Sequence, residues 1–371
     1  MYLIKNGTVH IGDGTVRECS DILIEGSKII EIGVEIKREN AKVVDAGNMH
    51  VFPGFIDPHS SIGALGMPTR YMDNKESTSP ITPEMNVRYS IDPDEVNNQE
   101  FYKSGITSLG IAPDNSNIVG GQITVFKTVP TKMKKRIVKD KAALKCSVTK
   151  EVKAEYGVRN QLPMTRMGIF YLLKETLRKA RCSKAEKLSA SDEIILSAFD
   201  IGELPVFCSA STKGEIMGLL HVLADEKVSL NIVDAFGFSD CIEEIKQTSA
   251  NIILGNINNM SQLAKHSMDL SKVKELIQNG NLLAFSNTNG GSSEGREVFL
   301  WNGIELYRAG IEAEEIVKMM CINPAKMLGV ADRIGSIEVG KDADVSIFTD
   351  HPVRSYRAKV VKSIVNGEVI I

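Results

Sequence analysis

A single imidazole stands in the run Phe55-Ile56-Asp57-Pro58-His59-Ser60-Ser61. His59 could serve there as a general base or as a metal ligand. Two residues on, Ser61 offers only a hydroxyl, a poor ligand for divalent transition metals, which favour imidazole, carboxylate or thiolate. Two chemistries are open to such a set. One is metal-assisted hydrolysis on a carboxylate-built site, in which Asp57, Asp114, Asp234 or Glu294 joins His59. The other is covalent. Cys208, Ser209, Ser211 and Ser286 fall near the ends of candidate strands, and a nucleophile there needs an adjacent base, for which His59 is the candidate. Small residues that merely fill space are the simpler account of the same positions.

The segments between these residues alternate. Strand-like apolar runs fall at residues 107–111, 123–126, 204–208, 229–233, 251–254 and 282–285, and amphipathic helical patterns at 170–180, 214–225, 241–249 and 313–320. Such alternation over roughly 280 residues predicts an α/β fold, a (β/α)8 TIM-like barrel whose site lies at the C-terminal ends of its strands. Residues 2–52 instead read as short strands separated by Asn6-Gly7, Asp13-Gly14 and Glu25-Gly26 turns, and the C-terminal residues repeat that style. The expected organisation is a small composite β-sandwich from residues 1–52 and 336–371, with the barrel over residues 53–335. His10, His50 and His351 lie in the terminal β pieces and read as surface or interface residues, whereas His221 and His266 fall in helical stretches.

Composition excludes several classes. Of 371 residues, 43% are hydrophobic and 25% charged, an ordinary globular balance, and the formal net charge of −3 gives no bias toward nucleic acid. Residues 131–157 carry nine lysines and arginines against three acids, but the run is poor in aromatics and reads as a solvated helix or loop rather than a polyanion site. Gly290, Gly291 and Gly295 read as a plain barrel loop rather than an anion cradle, since no P-loop lysine and serine follow. No apolar run reaches about 18 residues and no signal peptide is visible, so a cytoplasmic protein without membrane contact is expected. The six cysteines are far apart with no CxxC pair, and are expected to be reduced and mostly buried.

Several motifs carry a resemblance. They are Pro53-Gly54-Phe55-Ile56-Asp57, Ile118-Val119-Gly120-Gly121-Gln122 running on to Lys127-Thr128, Thr165-Arg166-Met167-Gly168, and Asn323-Pro324-Ala325-Lys326-Met327-Leu328-Gly329, followed by a run from Asp332 to Asp344. Together they resemble the amidohydrolase superfamily, in particular its imidazolonepropionase-like branch of metal-dependent hydrolases of carbon-nitrogen bonds, over nearly the whole chain. The resemblance implies an HxH pair, a carboxylated lysine or a glutamate, two further histidines and an aspartate, holding one or two metals that generate a bound hydroxide.

Mapped onto this chain, the HxH pair falls on His59 and Ser61, and Lys127 matches the bridging lysine. The two later histidine positions fall on Ser209-Ala210-Ser211 and on Ala235, and the aspartate position on Asn287 or Thr288. The ligand pocket expected from this comprises His59, Ser61, Lys127, Arg166, Ser209, Ser211, Ala235 and Asn287, with His59 and Lys127 as the metal candidates and Arg166 either a carboxylate clamp or a structural ion pair. Two functions follow. One is a non-catalytic homologue without a cofactor that binds a small polar molecule or serves as a partner subunit, in a homo-oligomer or with a related chain. The other is a hydrolase with a mononuclear, carboxylate-built or covalent site centred on His59, using zinc, manganese or iron where a metal is involved.

Overall fold

The computed structural model describes residues 1–66, 72–92, 101–129, 136–185, 188–257, 268–287 and 295–371. Two eight-stranded sheets organise them. The first draws on both chain ends. It contains β1 (Tyr2–His10), β2 (Val16–Glu25), β3 (Lys28–Gly33), β4 (Lys42–Asp45) and β5 (His50–Pro53), together with β14 (Val345–Phe348), β15 (Val360–Val365) and β16 (Glu368–Val369). Alternation in β1 and β2 puts Ile4, Val9, Ile22 and Ile24 on one face, where they pack with Val51, Val345, Ile347 and Ile364. Both termini were expected to share a sandwich, but hydrogen bonding defines one continuous sheet, because β14 pairs with β5 antiparallel (Ile347 opposite Val51) and joins the C-terminal strands to β1.

The second sheet is a nearly closed barrel. Its strands, in spatial as in chain order, are β6 (Phe55–Ser60), β7 (Ile106–Ile111), β8 (Val119–Lys127), β9 (Ile137–Ser147), β10 (Val206–Ser209), β11 (Leu230–Val233), β12 (Asn251–Leu254) and β13 (Leu283–Phe285), and β13 comes back into contact with β6. Gly54 links the two sheets. A side chain there would come within 2.0 Å of the Thr107 hydroxyl, so only glycine lets the chain pass so close to β7.

The barrel departs from a regular (β/α)8 pattern in its first half. β8 runs antiparallel to both β7 and β9, and among the described residues no α-helix separates β6 from β9. The helices come later: α1 (Lys150–Gly157), α2 (Arg166–Cys182) and α3 (Ala190–Leu196) before β10, α4 (Lys213–Val222) before β11, α5 (Ile242–Lys246) before β12, α6 (Val273–Asn279) before β13, then α7 (Gly295–Arg308), α8 (Ala313–Met320) and α9 (Ile322–Met327). β9 corrects the expectation for the basic run. Lys139, Asp140 and Lys141 are at least partly exposed, whereas 142–147 are buried, so one strand carries a wet half and a core half. Residues 131–135 of that run lie outside the described residues. Among the described residues no helix is long and apolar enough to cross a membrane.

Inside the barrel Ile56, Ile123, Val125, Ala143, Phe207, Val233, Ile253 and Ala284 form one apolar cluster with Ala325, Met327, Leu328, Val330 and Ile334. The α9 segment therefore plugs the end where the parallel strands begin, and Arg333 Nη1 ties it to the Val138 carbonyl at 2.6 Å. That end also holds Lys127. Because β8 is reversed, its last residue lies beside the start of β7, opposite Ser108. Its buried ammonium donates to Asp342 Oδ2 at 2.8 Å, Asp344 Oδ1 at 3.1 Å and Asn366 Oδ1 at 2.5 Å. Removing the cation leaves the nearly inaccessible Asp344 carboxylate without its ion partner among the described residues and takes one of three cations from Asp342, so Lys127→Met should destabilise the chain by about 3–5 kcal/mol. Urea unfolding at neutral pH checks this, and an unchanged midpoint contradicts the assignment of Lys127 to the frame.

Candidate functional site at the barrel mouth

The opposite end, where the parallel strands finish, is polar. β6 brings Asp57 and His59, β9 brings Lys145, β10 ends on Ser209, Asp234 follows β11, Asn256 follows β12 and Asn287 follows β13; all seven side chains are buried. Asp57 joins the two edges of the barrel. Its Oδ1 accepts the His59 backbone N–H at 3.1 Å and its Oδ2 the Asn287 backbone N–H at 3.2 Å. Burial pushes its carboxyl up, those two donors hold it back, and the charge of Asp234 adds to the rise, giving about 7. His59 is driven the other way: burial, then the charge of Lys145, holds the imidazole well below its usual value, so the ring is neutral.

Lys145 is the lysine of this site. Its Nζ lies 2.6 Å from Asn115 Oδ1, 2.7 Å from the Cys146 carbonyl and 2.9 Å from Ser209 Oγ. As an ammonium it donates three hydrogen bonds; as a neutral amine it donates to the two carbonyl-type oxygens and accepts from the Ser209 hydroxyl. Both forms are satisfied. Burial lowers its pKa against the attraction of nearby groups, including Asp234 and Asp114. Asp234 itself takes a left-handed backbone (φ 55°), and its carboxylate lies over Gly255, where a side chain would come within 2.4 Å of Oδ1.

The residues expected from sequence divide as follows. His59, Ser209 and Asn287 stand at the mouth, and Asn287 Oδ1 is buried with no hydrogen-bond partner among the described residues. Ser61 is half-buried just past β6, Ala235 is buried, and Ser211 stands between β10 and α4, its N–H given to Glu215 Oε2 at 2.9 Å in the capping of α4. Lys127 does not belong to this group, for the reason of strand direction given above. Arg166 is exposed at the start of α2, its guanidinium lying against Gly214 at the start of α4. The motif around it has a local role: Thr165 caps α2 by accepting the Gly168 N–H at 3.1 Å. Cys208 points away from the barrel interior and burial raises its thiol to about 12, which removes it as a nucleophile. Thr288, Glu294, His266, Gly290 and Gly291 lie outside the described residues.

Lys145 escaped the sequence reading because it sits within the basic run. The available signal was Ala142-Ala143-Leu144 immediately before it, a short apolar segment that makes a strand and carries one lysine inward. As for a metal, the mouth gathers one imidazole, an amine, hydroxyls, amides and two carboxylates. Among the described residues no three histidine, cysteine or carboxylate ligand atoms there come within 4.8 Å of one another.

A partly parallel barrel with an α9 plug, a sheet built from both chain ends and a polar layer at the strand ends define the class, and the comparisons give the family. The family model described as "Amidohydrolase family" matches residues 222–370. A crystal structure of an amidohydrolase from Thermotoga maritima MSB8 is 26% identical and covers 100% of both chains with a TM-score of 0.90. The dihydroorotase of Aquifex aeolicus is 23% identical over 93% of this chain and 89% of that protein. The imidazolonepropionase of Kosmotoga olearia is 33% identical over 26% of this chain and 25% of that protein. The matches at higher identity are likewise local and span 12–14% of the relatives concerned. The chain belongs to the amidohydrolase superfamily.

Asp57 supplies a pH test. Its folded value of about 7 lies above the unfolded value of about 3.9, so its contribution to stability is fully present below pH ~4 and is lost as pH rises through 7. The stability of wild type relative to Asp57→Asn should therefore fall by a few kcal/mol between pH 4 and 8, read from urea midpoints. A constant difference would contradict a buried, protonated Asp57.

Proposed function

We propose that this chain is a member of the superfamily that holds a small polar molecule of the cyclic amide or ureide class at the barrel mouth and does not turn it over by metal-bound hydroxide. The observation that supports this most is the Lys145 network. The donors present at the strand ends are one imidazole, an amine saturated by Asn115, Cys146 and Ser209, an Asp57 whose oxygens are both engaged by backbone N–H groups, and Asp234, and among the described residues no three of their ligand atoms lie within 4.8 Å of one another. Such a set does not supply the three or four ligands that a hydrolytic zinc site requires. It does suit a ligand with alternating N–H and C=O groups: Asn287 Oδ1 is an acceptor with no donor among the described residues, and Ser209 and the His59 ring are further polar groups in the same layer. The relative named dihydroorotase makes cyclic amides the first ligands to try.

A second reading has one specific observation behind it, the 2.9 Å contact between Ser209 Oγ and an amine whose pKa burial lowers. In that reading neutral Lys145 takes the hydroxyl proton as Oγ bonds to the carbonyl carbon. The carbon-nitrogen bond then breaks with the proton passed to the leaving nitrogen, and water hydrolyses the ester.

One experiment separates the readings. Full-length protein is mixed with hydantoin, dihydrouracil or dihydroorotate, and both thermal stabilisation and ring opening are followed. The expected outcome is saturable stabilisation without ring opening, with affinity weakened about 10-fold in Lys145→Met because Ser209 loses the amine that positions it. Ring opening that survives chelation but disappears in Ser209→Ala would establish the covalent reading. Ring opening abolished by chelation and by His59→Ala would overturn both.

A further inference from the structure

Four polar side chains that the barrel mouth does not use converge between the terminal sheet and α8. His10 ends β1, His50 begins β5, His351 lies three residues beyond β14, and Glu314 occupies the first turn of α8. His10 Nδ1 is 2.9 Å from Glu314 Oε1 and His351 Nε2 is 3.4 Å from the same oxygen. His10 Nε2 is 2.9 Å from His50 Nδ1, and the His10 ring stacks on Phe52 at 4.1 Å. His10 and His351 are almost inaccessible, at 3% and 2%.

The cluster leaves one carboxylate oxygen over. Glu314 is half-buried, and among the described residues its ion partners are His10 and His351 alone. Its second oxygen, Oε2, is buried with no hydrogen-bond partner among the described residues. Two imidazole nitrogens thus converge on one carboxylate oxygen, and the second buried oxygen is left for a further partner.

We propose that His10, Glu314 and His351 bind one divalent metal ion of the zinc class, as a clamp between the terminal sheet and α8. One ligand atom from each residue lies within 4.8 Å of the others. Tetrahedral bonds of about 2.0–2.1 Å put ligand atoms roughly 3.3 Å apart, and the distances of 2.9 and 3.4 Å to Glu314 Oε1 bracket that value. His10 would coordinate through Nδ1 and donate its other ring N–H to His50, the usual outer partner that fixes a ligand ring. His351 would coordinate through Nε2, so its Nδ1 takes up a proton and gives up the long 3.4 Å contact from the Val353 N–H. Two imidazoles and a carboxylate suit zinc, with a fourth position left to water. The ligands come from positions 10, 314 and 351, so the ion would join segments that no disulfide links, all six cysteines being free.

The full chain, stripped by a chelator, is titrated with cobalt(II) and then with zinc(II) in competition. The expected result is one equivalent bound with visible bands of tetrahedral intensity and a raised melting temperature. Both signals should disappear in Glu314→Gln and His351→Gln and persist in His59→Ala. Absence of binding, binding unaffected by Glu314→Gln, or loss in His59→Ala would each overturn the proposal. Should a variant fail to fold, X-ray absorption of the zinc-loaded wild type decides: two imidazoles and oxygen around zinc support the site, and a sulfur ligand or fewer than two imidazoles refutes it.

Discussion

A buried ammonium fixes the frame on which the rest depends. Lys127 reaches Asp342, Asp344 and Asn366 from the last residue of a reversed strand, and Asp342 also takes Lys28 at 2.9 Å and Arg333 at 2.8 Å. Charges so far from water are tolerated only when paired, so this cluster admits few arrangements. It brings β8 of the barrel, the C-terminal strands and the α9 plug to one end. A cleft of about 700 Å³ lined by Lys28, Arg333, Asp342 and Asn366 opens beside it, at the far end of the barrel from His59. The frame thereby leaves the other end of the barrel free to be polar.

At that other end burial acts on titratable groups. The same removal from water raises Asp57, lowers His59 and lowers Lys145, and in each case it favours the neutral form. In the proposed reading, such a layer of neutral or hydrogen-bond-saturated groups serves to read donors and acceptors on a ligand. The Glu314 carboxylate lies instead in the separate cluster of histidines, where bonds from His10 and His351 outweigh burial and hold it at about 2.

Much of the architecture was legible because apolar periodicity is local. The helix over 313–320 and the strand over 251–254 match the structure residue for residue, and the amphipathic segment at 170–180 lies within α2. What failed depended on strand direction. Counting strands along the chain cannot show that β8 is reversed, so the sequence pattern places Lys127 at the mouth and leaves Lys145 hidden among solvent-facing charges on β9. In the Thr165-Arg166 motif the threonine has a local role, as the cap of α2. The histidine cluster was out of reach for the same kind of reason. His10 and His50 meet only because β1 and β5 pair with Thr8 opposite His50, and β14 pairs with β5 to bring His351 near.

The central claim is that the superfamily frame is kept while the metal site and the polar mouth are different places. Anomalous diffraction at the zinc absorption edge, from crystals grown with zinc, tests it most directly. The account expects a single strong peak enclosed by His10, Glu314 and His351 and no peak beside His59 and Lys145. A peak at the barrel mouth within bonding distance of His59 would contradict it.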